Sequence, residues 1–302
     1  MIRNNIEGMI AAAFTPMKEN GDVDTTRIPA MVEHLIGRGV KGLFVCGSTG
    51  EGPSLTTAER KEVAEAFVQA SAGRIPIFVH VGHNSIAEAK GLAAHAQAIG
   101  ADYISATPPA YFKISTVDTL IACLAVIASG APELPFYYYN IPSLSGVSLD
   151  MRELLQRAGQ ALPTLAGIKY TTPLIHEFQS CLNYNGREYD LLYGTDEMLL
   201  SALVVGAKGY IGSTYNFVAP LYHKLISAFD QGDNKTAARM QMISVEMVRL
   251  IVQYGGLAAQ KCMMKLAGMD CGPVRLPLRN LQAAEISSLE AALRQMGFFD
   301  WI

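Results

Sequence analysis

The chain contains 302 residues, half of them hydrophobic, and carries a formal net charge of −3 at pH 7. This length suffices for one large hydrophobic core, and the mild acidity without a run of Lys or Arg argues against a nucleic-acid-binding protein. No apolar run reaches the ~18 residues that a membrane-spanning helix requires.

Short apolar segments alternate with longer amphipathic segments along most of the chain. Gly, Pro, Ser and Thr delimit the apolar segments as strands, and apolar residues spaced three or four apart in the longer segments are typical of helices. The predicted strands span residues 9–14, 42–46, 75–81, 103–106, 134–139, 189–193 and 209–212, with a sixth strand that contains Lys169. The predicted helices span residues 24–37, 57–72, 85–99, 117–128, 150–158, 174–182, 196–205 and 220–231.

Eight strand–helix units of this kind indicate a closed parallel sheet. Strands that alternate with helices pair in parallel, and their continuous apolar character indicates burial on both faces. Eight units favour a (β/α)8 TIM barrel over an open doubly wound sheet, whose G-x-G-x-x-G motif is missing after the first strand. Residues 1–232 are therefore predicted to form the barrel. Residues 233–302 are predicted to form a C-terminal helical appendage, with helices at 235–254, 257–267 and 281–295.

Polar residues are concentrated where the predicted strands end, which is where TIM barrels have their active sites. Tyr139 ends the fifth strand and Lys169 lies at the end of the sixth. Since neighbouring strands are about 5 Å apart, their side chains are expected to be within contact range. Other polar residues at the strand ends are Ser48, Thr49, Glu51, Tyr111, Asn140, Thr171, Asp196, Glu197, Ser213, Thr214, Tyr215 and Asn216.

Lys169 has two interpretations. It is either a solvated or ion-paired lysine at a strand end, or a buried lysine with a chemical task. Burial lowers the pKa of a lysine, and the neutral amine is then available to form a Schiff base with a carbonyl group. In that case Tyr139 is placed to transfer a proton to or from the substrate.

The turn after the second strand, residues 47–51 (GSTGE), has the composition of an anion site. The hydroxyl groups of Ser48 and Thr49 and the backbone N–H groups between glycines form a suitable nest for a carboxylate, although glycines are common in such loops. This turn, Lys169 and Tyr139 together favour a 2-keto acid. Its ketone condenses with the lysine, and the resulting iminium accepts electrons during aldol addition or cleavage.

Other polar residues have simpler interpretations. His80 and His83 lack an evident third ligand, so core or loop positions are expected and no metal site is predicted. Asp196 and Glu197 lie where acidic residues commonly cap a helix, and capping and substrate contact both stay open. Five scattered cysteines without a C-x-x-C pair, and the missing signal-peptide pattern in residues 1–8, predict free thiols and a soluble cytoplasmic protein.

Four motifs occur together in an order and spacing that resemble a known family. They are GSTGE at 47–51, YNIP at 139–142, GIKYT at 167–171 and GSTYN at 212–216. With them, the chain resembles over essentially its whole length the pyruvate-dependent class I aldolases of the dihydrodipicolinate synthase / N-acetylneuraminate lyase family.

The resemblance implies roles for individual residues. Lys169 would be the Schiff-base lysine, Tyr139 the proton relay, and Ser48 with Thr49 the site of the pyruvate carboxylate. No metal or organic cofactor is implied. The family also implies a homotetramer built from two dimers, in which Tyr111 of one subunit reaches into a neighbouring site. The family often has two consecutive tyrosines there, whereas this chain has Ala110 and Tyr111. Tyr111 is expected to make the contact, although the matching position stays open by one residue.

Within the family, the chain is most similar to the N-acetylneuraminate lyases, especially those of animals. The similarity is carried by the segments at 137–147 (YYYNIPSLSGV), 194–197 (GTDE), 212–216 (GSTYN) and 272–277 (GPVRLP). In those lyases five equivalent positions contact the sugar hydroxyl groups. The substrate-binding residues expected in addition to Ser48 and Thr49 are therefore Thr171, Gly194, Asp196, Glu197 and Ser213, together with Ile211.

Leu144 distinguishes this chain from the synthases of the family, which have an arginine there to bind a second carboxylate. The expected reaction is the reversible cleavage of N-acetylneuraminate to N-acetylmannosamine and pyruvate. An aldolase for another 2-keto-3-deoxy sugar acid, a dihydrodipicolinate synthase and a non-catalytic sensor of pyruvate or a sugar stay as alternatives. Gly52 and Pro53 also differ from some lyases, which leaves the shape of the pocket wall near them open.

Overall fold

The computed structural model describes residues 6–302, in which eight strands alternate with helices. Residues 1–5, and with them most of the 1–8 segment considered for a signal peptide, lie outside the described residues. The strands are β1 Gly8–Ala12, β2 Gly42–Val45, β3 Ile77–His80, β4 Tyr103–Ala106, β5 Phe136–Asn140, β6 Leu165–Tyr170, β7 Asp190–Tyr193 and β8 Gly209–Gly212.

Each strand pairs in parallel with the next, and β8 pairs with β1, so that the sheet closes into a barrel. The predicted TIM barrel is therefore confirmed. Such a sheet is covered on both faces, and its strands need apolar residues on both sides. This explains why β2, with the sequence GLFV, is apolar throughout and fully buried.

Helices cover the outside of the barrel and continue beyond it. They are α1 Ile28–Gly37, α2 Thr57–Ser71, α3 Ile86–Ala98, α4 Val117–Ala128, α5 Pro142–Ser145, α6 Met151–Ala158, α7 Ile175–Leu182, α8 Leu199–Val204, α9 Tyr215–Asp230, α10 Asn234–Gln253, α11 Leu257–Leu266 and α12 Ala283–Gln295. Short 3-10 helices lie at Thr25–Arg27, Gly52–Ser54, Gly159–Ala161, Tyr184–Gly186, Asp196–Met198 and Phe298–Trp301. Capping side chains stabilise the N-termini of several helices. For example, Thr56 and Glu59 form a capping box at the N-terminus of α2.

Several predicted bounds differ from the structure. The strand predicted at 134–139 begins later, at Phe136, and extends to Asn140. The helix predicted from residue 220 begins earlier, at Tyr215, so that Pro220 lies inside α9 rather than at its start. Its missing N–H is accommodated by a kink at Val218, where φ is −128°. The helix predicted at 196–205 is a 3-10 turn followed by α8, and α5 was not predicted.

Side chains of the strands alternate between two apolar clusters. One cluster lies between the sheet and the helices, and the other fills the barrel lumen. Tyr137 and Tyr139 belong to the lumen whereas Tyr138 belongs to the outer cluster, as the alternation along β5 predicts. The lumen cluster contains Ile6, Ile10, Ala12, Phe44, Phe78, Tyr137, Tyr139, Ile141, Ala166, Leu192 and Ile211.

The C-terminal helices pack against the barrel near the carboxyl ends of its strands. Helix α10 contacts α9 and the 3-10 turn Asp196–Met198, which follows β7. Within residues 6–302 no single helix has both the length and the hydropathy of a membrane span; α10 and α11 reach both only as a pair, with a bend of 119° between them. The division of the chain into two units at residue 232 stays a prediction.

Candidate active site

A cavity of about 290 Å³ opens at the carboxyl ends of the strands. Its wall combines residues of the strand ends with residues of the C-terminal helices. All residues predicted for the site line this cavity except Tyr111; they are Ser48, Thr49, Tyr139, Lys169, Thr171, Gly194, Asp196, Glu197, Ile211 and Ser213. Residues up to 165 positions apart, Ser48 and Ser213, are therefore brought together as the strand order predicts. The cavity has roughly the size of one small ligand.

Lys169 is buried between aromatic rings. Its side chain is 4% exposed, and its Nζ lies 3.9 Å from the ring centroids of both Phe44 and Tyr139. The register of β5 and β6 pairs Tyr139 directly with Lys169, which confirms that the two residues are neighbours. Among the described residues, no carboxylate oxygen lies within 4.0 Å of Nζ. The interpretation of Lys169 as a solvated or ion-paired lysine is therefore wrong.

Burial changes the ionisation of Lys169. Desolvation lowers its pKa from 10.5 to about 7, and the negative charge of Asp196 opposes the shift only in part. A substantial fraction of the amine is consequently neutral near pH 7. Lys169 therefore has the property that an amine nucleophile needs for attack on a carbonyl group.

Tyr139 is held by other rings and is protonated at neutral pH. Its ring centroid lies 5.6 Å from that of Phe44 and 5.9 Å from that of His80, both in edge-on orientation. Burial raises the pKa of Tyr139 to about 12, although the hydroxyl groups of Ser48 and Thr171 oppose the shift. The phenol is therefore present as a proton donor when a substrate enters.

His80, which the sequence placed in the core or a loop, supports the ring of Tyr139. Its Nε2 accepts a hydrogen bond from the Thr107 N–H (3.2 Å), and its carbonyl oxygen accepts one from the buried Arg60 (2.6 Å). Burial and the charges of Arg60 and Lys169 hold the pKa of His80 well below 6.5, so its ring is neutral. Residues 6–302 contain no group of three or more His, Cys, Asp or Glu side chains placed to hold a metal ion.

The turn after β2 brings Ser48 and Thr49 to the cavity that Lys169 lines. Cys46, which precedes the turn, and Glu51, which is its last residue, have φ values of 58° and 55°. Non-glycine residues rarely adopt this left-handed conformation, and it folds the chain back sharply. Two hydroxyl groups on such a compact turn suit an anion such as a carboxylate.

Asp196 lies at the cavity wall within a set of buried hydrogen bonds. Its Oδ2 accepts bonds from the N–H (2.9 Å) and the hydroxyl (2.7 Å) of Thr214. The Thr214 oxygen lies 2.7 Å from the Tyr222 hydroxyl, which lies 2.8 Å from the Ser244 hydroxyl. Ser244 also donates to the backbone carbonyl of Asp196 (3.3 Å). Helices α9 and α10 thus fix the position of this carboxylate.

The carboxylate of Asp196 keeps one oxygen unpaired. Its Oδ1 is buried without a hydrogen-bond partner among the described residues, and a Cβ on Gly212 would lie only 1.9 Å from it. Burial raises the pKa of Asp196 to about 6, so the ionised form still dominates at pH 7. Thr195 is the N-cap residue of the following 3-10 turn, and no side chain caps it. Asp196 and Glu197 do lie in the first turn of this 3-10 helix, as the capping interpretation expects, but the Asp196 carboxylate bonds to Thr214.

Further polar groups surround Asp196. Gly194 leaves room for Thr171, because a Cβ there would lie 2.1 Å from the Thr171 hydroxyl oxygen. Apart from the Tyr139 hydroxyl, whose pKa it lowers, that oxygen has no hydrogen-bond partner in the described part of the chain. Glu197 and Ser213 are half-buried at the same wall. This side of the cavity therefore offers several separate donors and acceptors to a ligand.

The C-terminal helices contribute part of the wall, which was not predicted. Val248, Ile251 and Val252 of α10, with Gly256 and Gln260 beside or within α11, line the cavity. Positive φ values at the adjacent glycines 255 and 256 allow the chain to bend between the two helices. That glycine pair is visible in the sequence, but the direction of the bend is set by packing against the barrel.

Three features singled out in the sequence lie outside the cavity wall. Tyr111, after β4, is 78% exposed, and its N–H donates to the Asn84 side chain (3.2 Å). Leu144, in α5, is 64% exposed. Gly52 and Pro53 belong to a 3-10 helix and do not line the cavity. Tyr111 does not reach the cavity of its own chain, and its contact with a neighbouring subunit stays a prediction.

The chain is similar to N-acetylneuraminate lyases in both sequence and structure. An N-acetylneuraminate lyase from Rattus norvegicus is 38% identical over 99% of this chain and 95% of its own length. The structure of a Proteus mirabilis N-acetylneuraminate lyase superposes with a TM-score of 0.95 and is 41% identical, covering 98% of this chain and all of that one. A structure of the lyase from Aliivibrio salmonicida also gives a TM-score of 0.95, with 38% identity and 98% coverage of both chains.

The match to a family extends over nearly the whole sequence. Residues 5–296 match the dihydrodipicolinate synthetase family. This range includes all eight strands, the candidate site and the C-terminal helices that form part of its wall. The chain therefore belongs to the dihydrodipicolinate synthetase family.

Proposed function

We propose that this protein cleaves N-acetylneuraminate reversibly to N-acetylmannosamine and pyruvate through a Schiff base on Lys169. The observation that carries the proposal is the buried amine of Lys169, with its pKa lowered to about 7, in one cavity with Tyr139 and the Ser48–Thr49 turn. Relatives that bear the name N-acetylneuraminate lyase, at 38–41% identity over nearly the whole chain, support this substrate.

The first chemical step joins the substrate to the enzyme. Ser48 and Thr49 bind the carboxylate of the open-chain sugar, and the neutral amine of Lys169 attacks its C2 ketone. Tyr139 gives its proton to the oxygen of the resulting carbinolamine, water leaves, and an iminium forms. Tyr139 acts first as an acid because burial raises its pKa to about 12. The phenolate that remains lies beside the iminium cation, which stabilises it.

The second step breaks the carbon–carbon bond. The phenolate of Tyr139 takes the proton of the C4 hydroxyl, the C3–C4 bond breaks, and its electron pair moves into the iminium. N-acetylmannosamine leaves as the aldehyde, and an enamine of pyruvate stays on Lys169. Protonation at C3 and hydrolysis of the imine release pyruvate and restore the amine. No metal or organic cofactor takes part.

The sugar chain is bound by the wall around Asp196. The unpaired Oδ1 of Asp196 supports this assignment, because it is a buried acceptor without a protein donor among the described residues. The hydroxyl group of Thr171, next to that of Tyr139, is a second polar group at the same wall. The remaining residues that we propose for sugar binding are Gly194, Glu197, Ile211 and Ser213. We further propose a cytoplasmic homotetramer in which Tyr111 of a neighbouring subunit assists Tyr139.

Two measurements test the proposal. The protein is mixed with N-acetylneuraminate, and the formation of pyruvate and N-acetylmannosamine is followed. In parallel, it is incubated with pyruvate and borohydride, and the modified peptide is located by mass spectrometry, with Lys169→Met as the control. A missing adduct on Lys169 would contradict the covalent mechanism. Faster cleavage of another 2-keto-3-deoxy sugar acid would keep the mechanism and replace the substrate.

A further inference from the structure

A buried ion pair joins the turn after β2 to helix α11. Lys261 Nζ lies 2.7 Å from Glu51 Oε1, and the two side chains are 3% and 1% exposed. The lysine also donates to the backbone carbonyls of Thr15 (3.0 Å) and Pro273 (2.7 Å). Lys261 Nζ therefore has three oxygen partners, one in an ion pair and two in hydrogen bonds. The second carboxylate oxygen of Glu51 accepts a bond from the Arg275 N–H (2.8 Å).

This ion pair is attached directly to the carboxylate-binding turn. Glu51 is the last residue of the turn, and its N–H donates to the backbone carbonyl of Ser48 (3.1 Å). Thr15, whose carbonyl binds Lys261, donates its hydroxyl to the carbonyl of Gly50 (2.6 Å). Lys261 therefore fixes the turn through two routes, one through the Glu51 carboxylate and one through Thr15.

The same lysine belongs to the helix that forms another part of the wall. Gln260 precedes Lys261 in α11 and lines the cavity, as does Gly256 before the helix. The ion pair thus connects this wall to the Ser48–Thr49 turn. A pair of buried charges is not in general a strong stabiliser, since the cost of removing both from water offsets their attraction. Its location at the site favours a role in positioning.

We propose that Glu51 and Lys261 are positioning residues that hold Ser48 and Thr49 in the geometry that binds the carboxylate of the 2-keto acid. Neither residue lines the cavity, so both act through the turn. The inference rests on the proposed function, in which this turn binds pyruvate. Loss of the pair lowers the affinity for pyruvate and leaves the reactivity of Lys169 toward bound pyruvate nearly unchanged.

The test uses Lys261→Met and Glu51→Gln. For each variant, the rate of borohydride trapping on Lys169 is measured against pyruvate concentration. Lys261→Met leaves a buried carboxylate unpaired, and the half-saturating pyruvate concentration is expected to rise ~10-fold or more, with the limiting rate within about threefold of wild type. Glu51→Gln keeps an acceptor for the Arg275 N–H, and Lys261 keeps its two carbonyl partners, so a smaller rise of about threefold is expected.

Coupling between the residues provides a second measurement. In the double variant Glu51→Gln/Lys261→Met no buried charge is left unpaired, so its half-saturating concentration is expected to be lower than that of Lys261→Met alone. The control is Arg279→Met, which removes an ion pair with Glu285 in the same C-terminal region. That pair is exposed (63% and 35%) and belongs to no wall of the cavity, so pyruvate binding is expected to stay unchanged.

The outcomes separate the two proposals. If wild-type protein is not trapped by pyruvate and borohydride, the proposed function fails. If wild type is trapped and the folded variants have an unchanged half-saturating concentration, the positioning role is overturned. A fall in thermal stability without a change in pyruvate affinity likewise overturns it, because the pair would then be structural only. Should Lys261→Met fail to fold, the milder Glu51→Gln decides the question by the same readout.

Discussion

Two tyrosines on β5 lie two residues apart in the barrel lumen and have charged partners of opposite sign. Tyr139 lies beside Lys169, and Tyr137 donates a hydrogen bond to Asp190 Oδ2 (3.0 Å). Burial moves both partners toward their neutral forms. It lowers the pKa of Lys169 to about 7 and raises that of Asp190 to about 6. The lumen therefore has the same electrostatic effect at both positions.

Access to a ligand is what distinguishes the two pairs. Lys169 and Tyr139 line the cavity, whereas Asp190 and Tyr137 do not. Asp190 Oδ2 also accepts a hydrogen bond from the Ile6 N–H (3.2 Å), so both of its donors come from the protein itself. A shifted pKa marks a buried group, and it marks a functional one only where a cavity brings substrate to it.

The largest expected effect comes from Lys169→Met. Methionine has a similar length but no amine, so the Schiff base cannot form, and we expect cleavage of N-acetylneuraminate to fall roughly 10⁴-fold or more. Steady-state pyruvate release and borohydride trapping measure this loss. Trapping of the variant at a different lysine with retained turnover would contradict the assignment.

The tyrosines offer a matched pair of substitutions. Tyr139→Phe removes the proton relay, and kcat is expected to fall by roughly 10²–10⁴-fold while the protein stays folded. Tyr137→Phe removes a hydroxyl of the same kind two residues away. Because it leaves the buried carboxylate of Asp190 with one donor fewer, it is expected to lower the free energy of unfolding by about 1–2 kcal/mol and to change kcat by less than about threefold.

Kinetic measurements and urea denaturation of both variants check this contrast. Equal losses of kcat in Tyr139→Phe and Tyr137→Phe would show that the lumen acts as one unit. A loss confined to Tyr137→Phe would reverse the assignment of the relay.

The contact between Tyr139 and Lys169 was predictable because it depends only on the order of strands. The two residues end consecutive strands of a parallel barrel, and the register pairs them. The contact between Tyr137 and Asp190 skips a strand and depends on how the barrel closes. Gly167 on β6 lies between them, and a Cβ there would lie 1.9 Å from the Asp190 carbonyl oxygen and 2.9 Å from the Tyr137 ring. No local pattern in the sequence indicates this approach.

The wall formed by the C-terminal helices was not predictable for a similar reason. The amphipathic pattern predicts α10 and α11 as helices, but it does not say which part of the barrel they cover. The Glu51–Lys261 pair joins residues 210 positions apart and follows only from that packing. The residues that carry the chemistry lie at strand ends and were predicted, whereas those that orient them come from distant packing.

The pH dependence of imine formation tests the ionisation of Lys169. The lysine must be neutral to attack, and its pKa of about 7 lies below the ordinary value of 10.5. The trapping rate at subsaturating pyruvate is therefore expected to rise about tenfold from pH 6 to pH 8 and then level off. Trapping with excess borohydride at each pH, with the rate of borohydride decay as a control, gives the profile. A rate that continues to rise up to pH 10 would show that burial does not shift this lysine.

The smallest effect on activity is expected from Asp190→Asn. The folded-state pKa of Asp190, about 6, lies above the ordinary value of 3.8. Between these values the folded protein binds a proton that the unfolded chain does not, so this group's contribution to stability falls as pH rises from about 4 to 6 and stays low above.

Asparagine is uncharged at every pH and keeps an acceptor oxygen for the Tyr137 hydroxyl. Urea denaturation at pH 7 is therefore expected to show the Asp190→Asn variant more stable than wild type by about 3 kcal/mol, with kcat changed by less than about threefold. At pH 4 wild-type Asp190 is protonated when folded, and the difference should largely vanish. A gain of equal size at pH 4 and pH 7 would mean that packing, rather than the buried charge, separates the two proteins.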